Sequence, residues 1–248
     1  MPRRVVLTLL LAMLPAFARA AEPAPVTFRA ADGVVVHGDL YRPAGAPRGV
    51  LLLFHQAGAN RLEYAPIAPR LAALGWVALA IDQRSGGDLF GGRNLTAAGV
   101  RGDPGYMAAL PDLEAALAFA RAQWPGMRPA VWGSSYSAAL VFVLAARHPA
   151  EISAVLAFSP GEYLPVSVRA AAARVTVPIY VTSASDPEEE QAAAAILAAS
   201  PSALKRQARA RVGTHGSATL RPDVNPQGAA ANFADVTAWL TELPAQGR

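Results

Sequence analysis

Gly133-Ser134-Ser135-Tyr136-Ser137 follows a short apolar run and precedes a helix-like stretch, with small residues two places either side of Ser135. A strand-to-helix turn that tight admits only small flanking residues. It strains the backbone and presents the central hydroxyl at the end of a sheet. Ser135 is the expected nucleophile, with the positive end of the following helix dipole beneath any negative charge that develops. Ser137 stands where a second glycine is usual. The competing reading is structural, with Ser134 or Ser135 capping the helix through a free backbone N–H.

A serine hydroxyl needs a base, and the chain has four histidines, His37, His55, His148 and His215. His215, in Gly213-Thr214-His215-Gly216, follows the last expected strand and would open at the same sheet edge as Ser135. An exposed loop histidine is the alternative. His37 falls on an early hairpin and His148 at a helix end, both ordinary surface places. The base needs an orienting carboxylate. Asp186, in Ser185-Asp186-Pro187-Glu188-Glu189, is the expected acid, although the same residues make a good helix N-cap. Glu162 is the reserve. The oxyanion donors are expected from the Tyr136 amide and from His55-Gln56-Ala57-Gly58, with Ala57 preferred and Gln56 as the alternative.

The elements that would carry these residues alternate. Expected strands cover 26–30, 34–41, 50–54, 76–81, 130–132, 154–158, 178–182 and 206–212. Expected helices cover 64–74, 111–123, 136–147, 187–199 and 229–240. The continuous apolar runs 50–54 and 76–81 suit strands buried on both faces. Alternation of this kind implies an α/β fold with a mostly parallel sheet and helices on both faces, and Asp32-Gly33 implies an antiparallel hairpin at one edge. Residues 83–105 form one long irregular stretch, which in a compact domain is usually functional or mobile. Arg84, Arg93 and Arg101 within it could face an anionic substrate, or more simply pair with Asp82, Asp88 and Asp103. Tyr64, Tyr106 and Tyr163 could line a pocket or serve only as packing.

In these motifs the chain resembles the serine α/β-hydrolase superfamily, near its dienelactone-hydrolase-like branch. The order Ser135, Asp186, His215 matches the family order nucleophile, acid, histidine. The resemblance implies a single-domain eight-stranded α/β-hydrolase fold without a large cap. It also implies cleavage of small carboxylic esters through an acyl-enzyme, with no metal or organic cofactor. A peptidase, thioesterase or lactonase of the same fold remains open, as does a non-catalytic binding protein on that scaffold. The family's departures here are Gln56 in place of the usual glycine after the histidine, Ser137 in the elbow, and Ser183 three places before Asp186.

Composition bounds the rest. The 248 residues are 53% hydrophobic and 16% charged, enough apolar material for one sizeable core. No cysteine is present, which excludes disulfides, thiolate metal sites and a cysteine nucleophile. Residues 1–20 carry Arg3 and Arg4, an apolar run too short to span a bilayer, and Ala18-Arg19-Ala20, the pattern of a cleaved secretory signal. The expected mature domain is 21–248, exported to the periplasm or medium, with no stable membrane anchor. The formal charge is +4; setting aside Arg3, Arg4 and Arg19 from the 22 basic residues leaves 19 against 18 acidic. That near balance gives no electrostatic footprint for nucleic acid, and the partner expected is a small ester. Oligomeric state is not legible.

Overall fold

A computed structural model describes residues 22–244; the expected signal segment lies outside the described residues. Eight strands form one sheet: β1 (Ala24–Arg29), β2 (Val35–Tyr41), β3 (Gly49–Phe54), β4 (Trp76–Ile81), β5 (Ala130–Ser134), β6 (Ala154–Phe158), β7 (Ile179–Thr182) and β8 (Lys205–Ala208). Their spatial order is β1-β2-β4-β3-β5-β6-β7-β8. β2 pairs antiparallel with both β1 and β4, and every pairing from β4 onward is parallel. The parallel strands therefore end on one common edge, where their following loops meet.

β3 and β4 are buried along their whole lengths because helices cover both faces. On one face Val50, Leu52, Phe54, Val131 and Val155 pack against α2 (Leu110–Gln123), α3 (Tyr136–Arg147), α4 (Val168–Ala172) and α5 (Pro187–Ala199). On the other, Leu51, Leu53, Trp132 and Leu156 pack against α1 (Ala68–Ala73) and α6 (Ala229–Glu242). Alternate residues of each strand thus feed two separate cores, as the two-residue period of a strand requires. Beneath the second face Trp132 stacks on Phe158 with ring centroids 4.5 Å apart, and Tyr180 and Trp239 continue the aromatic row.

Three elements differ from the sequence expectation. The stretch expected as one helix over 64–74 divides into a 3-10 turn, Arg61–Tyr64, and the short α1. Pro66 explains the break, since it has no amide hydrogen to continue the turn, whereas Pro69 sits in the first turn of α1, where none is needed. The last strand ends at Ala208 rather than 212. It is the sheet's edge, with only one neighbour to hold it. The connection between β6 and β7 contains α4, whose N-cap Ser167 accepts a hydrogen bond from the Ala170 amide at 3.2 Å.

The long stretch after β4 is pinned by polar contacts. Arg84 bonds Asp112 of α2 at 2.6 Å and pairs with Asp32 in the β1–β2 turn. The Asn60 side-chain amide reaches the Gly87, Leu89 and Gly91 carbonyls at 3.1 Å each. Asn94 donates to the Ala59 and Gln83 carbonyls. The expected partners of the loop arginines are therefore corrected for Arg84. Its acids come from neighbouring elements, while Asp82 binds Arg61 at 2.6 Å.

Candidate active site

Ser135 sits between β5 and α3 with φ 57° and ψ −120°, a left-handed region costly for a non-glycine residue. The turn is held from both sides: the Ser135 amide donates to the Phe158 carbonyl at 2.8 Å, and its carbonyl accepts from Ala138 at 2.8 Å. Gly133 has no alternative, because a Cβ there would collide with the Ser137 carbonyl. Ser137, in place of the second glycine, is fully buried. Its hydroxyl donates to the His55 carbonyl at 2.6 Å and accepts from the Gln83 side chain at 2.6 Å. The departure from the glycine pattern thus ties the elbow to the end of β3. Neither elbow serine caps α3. Ser134 donates to Glu63, and Ser135 faces His215.

His215 Nε2 lies 2.7 Å from Ser135 Oγ, and His215 Nδ1 lies 2.7 Å from Glu189 Oε1. Burial works to raise the Glu189 carboxyl, but hydrogen bonds from His215, Ser159 and the Ala184 amide overcome it and hold it at about 2. An ionised carboxylate only accepts, so Nδ1 carries the proton and Nε2 offers its lone pair to the serine hydroxyl. The Glu189 hydrogen bond and charge raise the His215 pKa against the opposing effect of burial. The imidazole side chain is 40% exposed, so solvent reaches it.

The structure corrects the expected acid. Asp186 is the N-cap of α5, where one carboxylate oxygen accepts the Glu188 and Glu189 amides at 3.0 and 3.2 Å, and its side chain does not meet His215. Glu189, one turn further along, does. Glu162 is likewise occupied, accepting the Val168 and Arg169 amides at 2.6 and 3.1 Å at the start of α4. Three consecutive glutamates, Glu188, Glu189 and Glu190, open α5. Only the helix's rotation relative to the sheet selects the middle one, and the sequence carries no mark of that angle.

The turn after β3 divides its amides. Gln56 donates its N–H to Glu63 Oε2 at 2.8 Å, so it is engaged and the Gln56 alternative falls away. Gln56 to Ala59 closes as a turn through Ala59 N to Gln56 O at 3.2 Å, with Gly58 at φ 67° in its third place. In such a turn the second residue's amide has no internal partner. That residue is Ala57, and among the described residues no protein group accepts its N–H. The Tyr136 amide, first of α3, likewise lacks an intrahelical acceptor.

The remaining candidates separate cleanly. His55 is fully buried and structural. It accepts the Gln83 amide on Nε2 at 2.9 Å and donates from Nδ1 to the Gln56 carbonyl, and burial pushes its pKa down to about 4. His148 bonds Glu114 and Glu151 at the end of α3, away from the site. Tyr64 is core, with its hydroxyl on the Phe54 carbonyl. Tyr106 and Tyr163 are both partly exposed. The Tyr106 ring stacks on that of Tyr136 at 4.4 Å, and the Tyr163 hydroxyl reaches the Ser159 carbonyl at 3.3 Å.

Comparison with known proteins places the chain by family and by fold. The family model described as serine aminopeptidase, S33, matches residues 45–211. The chain belongs to this α/β-hydrolase family. A monoacylglycerol lipase of Mycolicibacterium smegmatis is 28% identical over 138 residues, which are 54% of this chain and 45% of the lipase. The chain thus matches less than half the length of that relative. Among solved structures, dienelactone hydrolase from Anabaena variabilis superposes with TM-score 0.71 at 19% identity, covering 91% of this chain and all of that one. An esterase of Pyrococcus furiosus gives TM-score 0.70 at 18% identity, covering 98% and 99% of the two chains. A carboxyl esterase from Bacillus coagulans gives 0.69 at 13% identity over 90% and 99%. At these identities the likeness is one of fold. In this family member the eight-stranded sheet, the elbow after β5 and the histidine after β8 occupy the places the sequence implied.

Proposed function

We propose that the protein is an exported serine hydrolase that cleaves carboxylic esters of small molecules. The observation that carries this is the pair of 2.7 Å contacts through which His215 joins Ser135 to Glu189. In this reading His215 takes the hydroxyl proton as Ser135 Oγ attacks the ester carbonyl. Glu189 holds the imidazole in its tautomer and stabilises its charge. The Ala57 and Tyr136 amides receive the oxyanion, and collapse expels the alcohol with the proton from His215. Water then attacks the acyl-enzyme by the same steps and regenerates Ser135. The chemistry asks for no metal or cofactor. The esterase neighbours and the lipase relative support an ester over an amide.

The test is turnover of short-chain p-nitrophenyl esters beside aminoacyl anilides, for the wild type and Ser135→Ala. Ester turnover should fall at least about 10,000-fold in the variant. Equal rates would end the reading, and faster cleavage of the anilides would turn it into a peptidase. Export rests on residues 1–20 and is checked by N-terminal sequencing of the protein recovered outside the cytoplasm, which should begin after Ala20.

A further inference from the structure

Glu63 is fully buried on the 3-10 turn after β3. Among the described residues no lysine or arginine forms an ion pair with its carboxylate. Arg221, which passes close by, places its guanidinium on the Leu62 and Glu63 carbonyls at 2.7 and 2.9 Å and on Asp223 at 2.7 Å. A buried carboxylate without a cation costs stability unless hydrogen bonds satisfy it. Here Oε2 accepts the Gln56 amide at 2.8 Å and Oε1 accepts the Ser134 hydroxyl at 2.7 Å. Ser134 Oγ in turn accepts the Ser217 amide at 2.8 Å. Each of these partners is a near neighbour of a reacting group: Gln56 precedes Ala57, Ser134 precedes Ser135, and Ser217 is two residues after His215.

We infer that Glu63 is a positioning residue whose ionised carboxylate holds the oxyanion turn, the serine elbow and the histidine loop in register. This rests on the catalytic reading of Ser135 and His215. The ionised form, an acceptor at both oxygens, satisfies all three bonds as they stand. The Gln56 N–H can only donate. The Ser134 hydroxyl already accepts from Ser217 and needs an acceptor for its own proton. A proton on either Glu63 oxygen therefore weakens that acceptor and adds a donor in need of its own partner, so the chain of contacts is strained. Burial pushes this carboxyl up to about 7, against the hydrogen bonds from Ser134 and Gln56 and the charges of Arg221 and His215. Of the groups facing it, Arg221 and His215 come from the segment after β8, Tyr64 from its own turn and Tyr136 from α3. The two tyrosines are held neutral by burial, so Arg221, and His215 once protonated, are the charges it feels.

The experiment measures kcat and KM for a short-chain p-nitrophenyl ester from pH 5 to 9, for the wild type, Glu63→Gln and Ser134→Ala. The infrared band of protonated carboxyl groups is followed over the same range. In the wild type the acid limb should carry two protons, one on His215 and one on Glu63. Glu63→Gln should lower kcat about 10- to 100-fold with little change in KM, and reduce the limb to one proton. Ser134→Ala removes a bond to the ionised form, so its upper limb should move to higher pH. The wild-type protein should lose a protonated-carboxyl band near pH 7 that Glu63→Gln lacks. Wild-type kcat in Glu63→Gln, a loss uniform across pH, or an unmoved limb in Ser134→Ala overturns the positioning role. Should Glu63→Gln fail to fold, the Ser134→Ala limb decides alone. A wild type that turns over no ester defeats the catalytic reading instead; the infrared band then decides only whether Glu63 ionises near neutrality.

Discussion

Two carboxylates stand one helical turn apart at the head of α5 and do different work. Asp186 spends one oxygen on two backbone amides, whereas Glu189 meets the imidazole. Substitution separates the two roles. Glu189→Gln should lower kcat about 1,000- to 10,000-fold, because an amide no longer fixes the Nδ1–H tautomer or balances imidazolium charge. Asp186→Ala should leave kcat within about threefold and cost about 1 kcal/mol of stability, the usual worth of an N-cap. Steady-state kinetics beside urea unfolding distinguishes them, and the reverse pattern would return the acid role to Asp186. Ser135 and His215 were legible in the sequence because their immediate neighbours encode a tight turn and a loop after a strand. Glu189 was not. Asp186-Pro187 marks a helix start, but nothing in the sequence sets Glu189 apart from Glu188 and Glu190.

At the scale of elements, the uniformly apolar strands declared themselves. Val50 to Phe54 and Trp76 to Ile81 have no polar residue to confuse their burial, and the observed strands match to within one residue. The edge strand β8 stops short of the expected 212, since the sequence alternation continues past the point where β7 stops pairing. What sequence could not give was the partnership of the long stretch after β4. Arg84 crosses to Asp32 and Asp112, which lie 52 and 28 residues away along the chain. Asp112 is wholly buried, so removing its cation leaves a charge stranded in the interior. Arg84→Ala should therefore lower stability at pH 7 by about 3–5 kcal/mol, with a smaller deficit as acid protonates Asp112. Denaturant melts at pH 7 and pH 5 check this; an equal deficit at both would mean Asp112 finds another partner.

Across the whole molecule, several buried groups set how stability responds to pH. Glu63 is raised from an ordinary 4.5 to about 7, so the folded state binds its proton more tightly and gains stability as the pH falls from 7 to 4.5. His55 is lowered from 6.5 to about 4, so folding loses stability as the pH falls from 6.5 to 4. These two oppose each other over nearly the same window. His215, raised, adds stability that is complete below 6.5 and lost as the pH climbs through its folded value. Glu189, held at about 2, contributes stability above 4.5 that is lost below it. Glu63→Gln isolates one of these contributions. Relative to the wild type, its melting temperature should be higher at pH 8 than at pH 5. A difference independent of pH would mean Glu63 ionises in the fold as it does in the open chain. The residue proposed to organise the site thus costs the fold stability as it ionises toward neutral pH, as expected of a group kept for function.

The aromatic row under the second face has an optical consequence. Trp132 lies flat on Phe158 and donates its indole N–H to Ser217 Oγ at 2.9 Å. Tyr64 holds the same oxygen at 3.2 Å. The indole is thereby wired to the loop that carries His215 while shut away from water. In the proposed reaction, a shift of that loop on acylation of Ser135 would stretch or release this bond and should then change the emission colour of this built-in fluorophore, with no foreign label.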